Sequence, residues 1–333
     1  MTATSFSSVL PEWTQQSAVW LGWPHLQEAW ADDYEGAQRE IAALAKALAP
    51  VVKVKLVIGA DHSRSAAEAA VGQHAELHEA PMGDVWLRDT GPIFVAQDGR
   101  LSALGFNFNG WGGKYELEGD TETAEALACL EGCPFKRHDF VLEGGAIEQD
   151  GAGNLITTRQ CLLNPNRNSG WSEEKAEAAL RQAFNIDRVV WLGDGLKGDH
   201  TDGHVDNIAR FIAPGHVVCQ TPSGADDPNA DVLREIEGTL RAAELQVSTI
   251  PSPGRIEEEG MPVPASHMNF LISNGRVILP VYEGEHSRRA LAELQALMPQ
   301  HEIISLPANH ILAGGGSFHC MSQQVPAITG GAK

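Results

Sequence analysis

The sequence predicts an α/β fold built from five modules of about 60 residues, each a β-hairpin, a helix and a further strand, arranged in a ring. Two observations predict it. Four turn signals, Asp98-Gly99, Asp150-Gly151, Pro214-Gly215 and Asn274-Gly275, each interrupt runs rich in Val, Ile, Leu and Phe. Their glycines fall at intervals of 52, 64 and 60 residues. Behind each turn comes a helical pattern, at residues 120–130, 172–183, 229–243 and 285–297. After the helix comes another short apolar run, as at 188–192 and 302–306.

The N-terminal part supplies a helix at 33–49, stopped by Pro50, and a strand at 52–58, but no hairpin. A strand at 18–21 and the segment around Cys320 would supply that hairpin together, closing a fifth module through the two ends of the chain. Independent hairpins in an ordinary α+β sheet would leave the same local signals. The Pro-rich patches Pro222-Ser223-Gly224 and Pro251-Ser252-Pro253 are too short for linkers, so one domain over 1–333 is expected.

Composition narrows the partners. Forty-four acidic against 24 basic side chains give a formal charge of -20. That balance disfavours nucleic acid and favours cationic ligands. No apolar run approaches the length that crosses a bilayer, and Met1-Thr2-Ala3-Thr4-Ser5 carries no export signal. With five cysteines in no even framework, a reduced, cytoplasmic protein without membrane contact is expected.

Polar residues collect just upstream of each hairpin: Trp86 to Asp89 with Gly91-Pro92, then Glu143-Gly144-Gly145, His204 with Asp206 and Asn207, His267 with Asn269, and finally Cys320. A ring would aim all five sets at its axis. His204 and Asp206, two apart in what reads as an extended segment, would share one strand face and could manage a proton and a positive charge together. Each set also has a plainer reading. His204 could be bonded in a loop beside a solvated aspartate, Arg88-Asp89 could be a turn ion pair, Glu143 could accept a backbone bond, and Trp86 alone reads as core.

Near the C-terminus, Gly314-Gly315-Gly316 precedes Ser317-Phe318-His319-Cys320. Such a run lets backbone approach a ligand closely and delivers one cysteine beside a ring that can tune it. A thiol of ordinary pKa, about 8.5, is only a few per cent ionised at neutral pH. A cation must therefore come close to Cys320, either an imidazolium or the substrate. Without one, Cys320 would be a small buried hydrophobe. The spacing of His200 and His204 would suit a metal on a helix, but Gly203 and the run from Val205 to Ile208 argue against a helix there.

With these residues in order, the chain resembles the agmatine deiminases, a family that includes the bacterial-type peptidylarginine deiminases, within the guanidino-modifying pentein superfamily. Trp20-Leu21-Gly22-Trp23-Pro24, Trp30, Leu163-Asn164-Pro165-Asn166-Arg167-Asn168 and the sets above carry the resemblance. It implies a five-bladed α/β propeller of ββαβ modules and hydrolytic deimination of a small cationic guanidino substrate through an amidino-cysteine adduct. It further implies Cys320 as nucleophile, His204 as general acid and base, and Asp89 and Asp206 as the carboxylates that grip the guanidinium. Trp86, Glu143, Asn269, His200 and Gly316 would bind substrate, no metal or organic cofactor is implied, and a homo-oligomer is allowed.

Two departures concern the far end of the substrate. Where the agmatine enzymes commonly have an acid four places before the histidine, this chain has His200, and Val281-Tyr282-Glu283-Gly284-Glu285-His286 replaces a more Asp-rich run. Agmatine is the expected substrate. The alternatives are free arginine, peptidyl-arginine, or an inactive pentein that binds a cationic metabolite.

Overall fold

The structure, a computed structural model, describes residues 8–59 and 63–328. The first five residues, where an export signal was sought, lie outside the described residues, as do the extreme ends of the expected domain.

Five sheets share one plan, an antiparallel pair extended by a parallel third strand. They are Ile93–Gln97, Arg100–Asn107 and Phe135–Val141; Ile147–Gln149, Asn154–Thr158 and Arg188–Leu192; Ala209–Ala213, His216–Thr221 and Gln246–Pro251; Leu271–Ser273, Arg276–Val281 and Glu302–Pro307. The fifth joins the chain's ends: Ser322–Pro326 runs antiparallel to Gln16–Trp23, which pairs in parallel with Lys53–Ile58. A parallel third strand requires a crossover, and a helix supplies it in every blade. These helices are Tyr34–Leu48, Asp120–Leu130, Glu173–Phe184, Ala230–Ala242 and Glu285–Leu297. The fold is the five-bladed α/β propeller of ββαβ modules.

Local chemistry explains the hairpins. Asp98 and Gly99 have φ of 51° and 71°, and Asn274 and Gly275 have 47° and 84°. Two successive left-handed residues make the tight turn whose twist suits paired strands, and Asn, Asp and Gly tolerate it best. Amphipathic helices then cover the sheets. Tyr34–Leu48 buries Ala37, Ile41, Leu44, Ala45 and Leu48 against Val19, Leu21, Val54 and Leu56.

One local expectation is overturned. Residues 205–207 form a single 3₁₀ turn, not an extended strand. The Asp199 carboxylate and the Thr201 hydroxyl both accept from the His204 backbone N–H, and Gly203 takes φ of 85°, so the chain is wound into a turn before the next strand begins. No helix among the described residues is long and apolar enough to cross a membrane.

Ring closure depends partly on Asn274. Its amide accepts from Gln16 N at 2.8 Å and donates to Gln16 O at 3.0 Å and to Val51 O at 2.9 Å, tying two blades together. Asn274→Gly keeps the positive φ and removes those bonds. It should lower unfolding free energy by about 1–3 kcal/mol in urea denaturation, whereas an unchanged midpoint would show that the tie contributes nothing.

Candidate active site

Each blade delivers its polar set from the few residues before its first strand. Asp89 sits in the helical turn Leu87–Thr90, ahead of Ile93. Glu143 precedes the 3₁₀ turn Gly144–Ala146, and Asp206 lies within Val205–Asn207. Asn269 is two residues before Leu271, and Cys320 two before Ser322. Equivalent positions on five blades point inward, which brings residues far apart in sequence to one place.

Cys320 is 4% exposed and held from below by Asn269. The Asn269 amide donates to Sγ at 3.0 Å, while its Oδ1 accepts from the backbone N–H groups of His319 and Cys320 at 2.9 and 3.2 Å. Asn269, expected to touch substrate, is thus fully buried and does not line the pocket, because its amide is spent on Cys320, the His319–Cys320 turn and the Asn207 side chain, to which it donates at 2.9 Å. Sγ lies 3.5 Å from Asp206 Oδ2.

His319 is turned away from the sulfur. Its Nδ1 lies in hydrogen-bond contact with Asp206 Oδ2 at 2.7 Å and its Nε2 with Glu12 Oε2 at 2.9 Å. Glu12 also accepts from Arg210, whose Nε donates to Glu148 at 3.0 Å. The ring beside the cysteine therefore tunes Asp206. Burial alone would raise the Asp206 carboxyl, but the bond and charge of His319 hold it below the ordinary value. Glu12, though buried, is held well below the carboxylate range by Arg210 and His319.

Asp89 closes the other side. Its Oδ1 accepts from Gly145 N and its Oδ2 from Trp111 Nε1, both at 2.9 Å, and His204 Nδ1 lies 3.6 Å from Oδ2. A Cβ on Gly145 would stand 2.5 Å from His204 Nδ1, 2.9 Å from Asp89 Oδ1 and 3.2 Å from Asp206 Oδ2. Three polar groups converge there, and only glycine leaves room for them. Asp206 Oδ1 and both His204 nitrogens are buried and make no hydrogen bond within the described residues.

Burial, with help from Asp206 and Glu143, pushes the Asp89 carboxyl up to about 6, against the pull of His204 and Trp111. Burial would lower His204, but Asp89, Cys161 and Glu143 together hold it well above its ordinary value. Burial and the charges of Asp206 and Asp89 push the Cys320 thiol well up. In the free protein the sulfur is therefore a neutral thiol, and an arriving cation would reverse the sign of the field around it.

Above this floor lies a pocket of about 250 Å³. Trp86, His200 and Gly316 line it. Side chains on Gly314 and Gly316 would collide with the benzo ring of Trp86, so the glycines let the indole come close against backbone. His200 stands against Tyr115, whose hydroxyl is 2.8 Å from Nδ1. Cys320 and Asp89 line the pocket, with His204 and Asp206 immediately behind them. Glu143, also expected to bind substrate, does not line it. Its carboxylate accepts from Arg167 Nε at 2.5 Å, a fully buried ion pair behind His204.

Sequence reasoning passed over Trp111, Asp84 and Tyr115 in the pocket, and Glu12 and Arg210 beneath it. Gly110-Trp111-Gly112-Gly113 held a readable signal, a bulky ring flanked by glycines, and Trp111 itself takes φ of 53°. For the metal alternative, His200 and His204 do not belong to one ligand cluster. Glu143, Cys161 and His204 do bring ligand atoms within 4.8 Å of one another. The Arg167 guanidinium bound to Glu143 disfavours a second cation there.

A propeller whose axis gathers a cysteine, a histidine and two carboxylates at the floor of a pocket lined by tryptophans has the fold of the solved agmatine deiminases. The chain belongs to the Porphyromonas-type peptidyl-arginine deiminase family, which matches residues 8–326. It is 36% identical over 350 residues to the agmatine deiminase of Ectopseudomonas mendocina, covering 96% of this chain and 95% of that one. The agmatine deiminase of Enterococcus faecalis superposes with a TM-score of 0.92 at 29% identity, covering 99% of each chain. A C. jejuni agmatine deiminase with substrate bound gives 0.92 at 28% identity, over 99% of this chain and 98% of that one.

The elevated Asp89 predicts an acid limb. As pH falls through about 6, Asp89 takes a proton and loses its grip on a cation, so kcat/KM for a guanidino substrate should drop about tenfold per pH unit below that point. A pH profile whose acid limb lies at the ordinary aspartate value of about 4 would contradict this.

Proposed function

We propose that the chain hydrolyses agmatine to N-carbamoylputrescine and ammonia, with Cys320 as nucleophile and His204 as general acid and base. The observation that carries this reading is the charge of the site. Cys320 sits between two buried carboxylates, Asp89 and Asp206, and no lysine or arginine is among the described lining residues. Such a floor repels anions and is completed by a flat cation.

A guanidinium is a poor electrophile until its charge is compensated and its plane fixed, which a carboxylate on each side does. Its arrival also favours ionisation of the buried thiol beside it, whose proton is released to solvent. The thiolate adds to the guanidinium carbon, His204 gives a proton to the departing nitrogen, and ammonia leaves an amidino-thioether. Water adds to that carbon as His204 takes one of its protons, the C–S bond breaks with the electrons returning to sulfur, and the remaining hydroxyl proton is released, restoring the resting thiol, as the neutral ureido product departs. His204 suits the first step because its surroundings favour the protonated ring.

Agmatine fits better than arginine because the pocket offers the α-carboxylate of arginine no described lysine or arginine and presents Asp84 instead. The agmatine deiminases named above support the same choice. We place the enzyme in the cytoplasm, where its five cysteines, all free, would stay reduced. Association into a homo-oligomer belongs to the same proposal and is read from sedimentation.

Agmatine, free arginine and a blocked arginine peptide, each followed for ammonia and ureido product, test the reading. Agmatine should give the highest kcat/KM, and Cys320→Ser should bind agmatine without turning it over. Preference for arginine or the peptide would overturn the substrate, and hydrolysis by Cys320→Ser would overturn the nucleophile.

A further inference from the structure

Asp84 is a carboxylate in the pocket wall with no cation. Its Oδ1 accepts from Val85 N at 2.8 Å and from Trp30 Nε1 at 3.2 Å, and its Oδ2 from Trp86 Nε1 at 2.8 Å. Every one of those donors is neutral. No described lysine, arginine or histidine makes an ion pair with it. Asp120, whose Oδ1 accepts from the Asp84 backbone N–H at 3.2 Å, is a further acid and offers no counterion. A carboxylate in low-dielectric surroundings without a counterion is costly, and each such group calls for an explanation.

Its position supplies one. The benzo edge of Trp86 lies against Gly314 and Gly316, on the approach to Cys320, while the indole N–H on the opposite edge reaches Asp84. Trp30 stacks on Trp86, with ring centres 5.9 Å apart and planes 26° apart, and its own N–H meets the same carboxylate. The pocket thus carries two anionic stations, Asp89 with Asp206 at the floor and Asp84 across the width of an indole, with an apolar face between them.

Resting on the agmatine reading, we infer that Asp84 binds the terminal ammonium of the substrate, and that the four methylenes of agmatine lie along Trp86. The unpaired carboxylate is completed when a dication bridges the two stations. Trp30 and Trp86 hold the carboxylate in place through their indole N–H groups. This assignment explains how a chain with His200 in place of the family's common acid can still select a diamine-like substrate. His200 stands instead with Tyr115.

The test compares agmatine with n-butylguanidine, which has the same carbon chain and lacks the ammonium, in the wild type and in Asp84→Asn. The wild type should favour agmatine by about 10- to 100-fold in kcat/KM, the worth of one charge-assisted contact. Asp84→Asn should erase that preference, raising KM for agmatine while kcat and the butylguanidine constants change little. Arginine should gain relative to agmatine, since its carboxylate no longer meets a like charge. Equal damage to agmatine and butylguanidine would mean that Asp84 only props the two indoles, and the inference would fall. A wild type with no preference for agmatine over butylguanidine would overturn it without any variant, which keeps it open to refutation even if Asp84→Asn does not fold. A wild type that deiminates arginine and not agmatine would overturn the proposed substrate and this inference together. Turnover of agmatine without discrimination against butylguanidine overturns only the role of Asp84.

Discussion

The molecule depends on how it handles buried negative charge at its axis. Five blades aim their loops at one small volume, and that volume holds Asp89, Asp206, Glu12 and Glu148, all nearly sealed from water. At such depth each unpaired carboxylate would cost several kcal/mol. Away from the pocket the cost is met by pairing: Asp206 with His319, His319 with Glu12, and Glu12 and Glu148 with Arg210. Toward the pocket the pairing is left incomplete. Asp89 accepts from two neutral donors and its one ion-pair partner among the described residues is a histidine at 3.6 Å, and Asp206 keeps one oxygen without a partner in the described chain.

That asymmetry turns structure into chemistry. The same carboxylates that wait for a cation also keep Cys320 protonated. An enzyme that holds its sulfur as a thiol until a guanidinium arrives protects the nucleophile from adventitious electrophiles, and it uses the substrate's own charge as the activating group. His319 is central although it faces away from the sulfur, because it keeps Asp206 ionised and so keeps the site hungry for a cation. Asn269 fixes where the sulfur stands, and Gly145 keeps clear the space in which three polar groups meet.

What could be seen in the sequence followed from local chemistry. Asn274-Gly275 and Asp98-Gly99 encode their turns in two residues each, and the helix at Asp120–Leu130 runs over the residues its periodicity marks. Closure through the termini was legible because one module lacked only its hairpin. The charge chain beneath the site was hidden. Arg210 looks like an ordinary outward residue of a strand, and Glu12 meets it from 198 residues away in sequence. Only the closed ring makes them neighbours. His204 and Asp206 were found as a pair, yet the alternation that suggested a strand is a 3₁₀ turn shaped by Asp199 and Thr201. Asp84 passed unnoticed because a lone aspartate before Val85 and Trp86 gives no sign that it lacks a counterion.

Titrating the thiolate absorbance of the free protein against Cys320→Ala, which isolates this sulfur from the other four cysteines, tests the central claim most directly. Substrate-supplied activation predicts that Cys320 ionises well above an ordinary thiol, leaving almost no thiolate at neutral pH. A sulfur already fully ionised at neutral pH in the free protein would contradict it, and would mean that an imidazolium, not the substrate, activates the nucleophile.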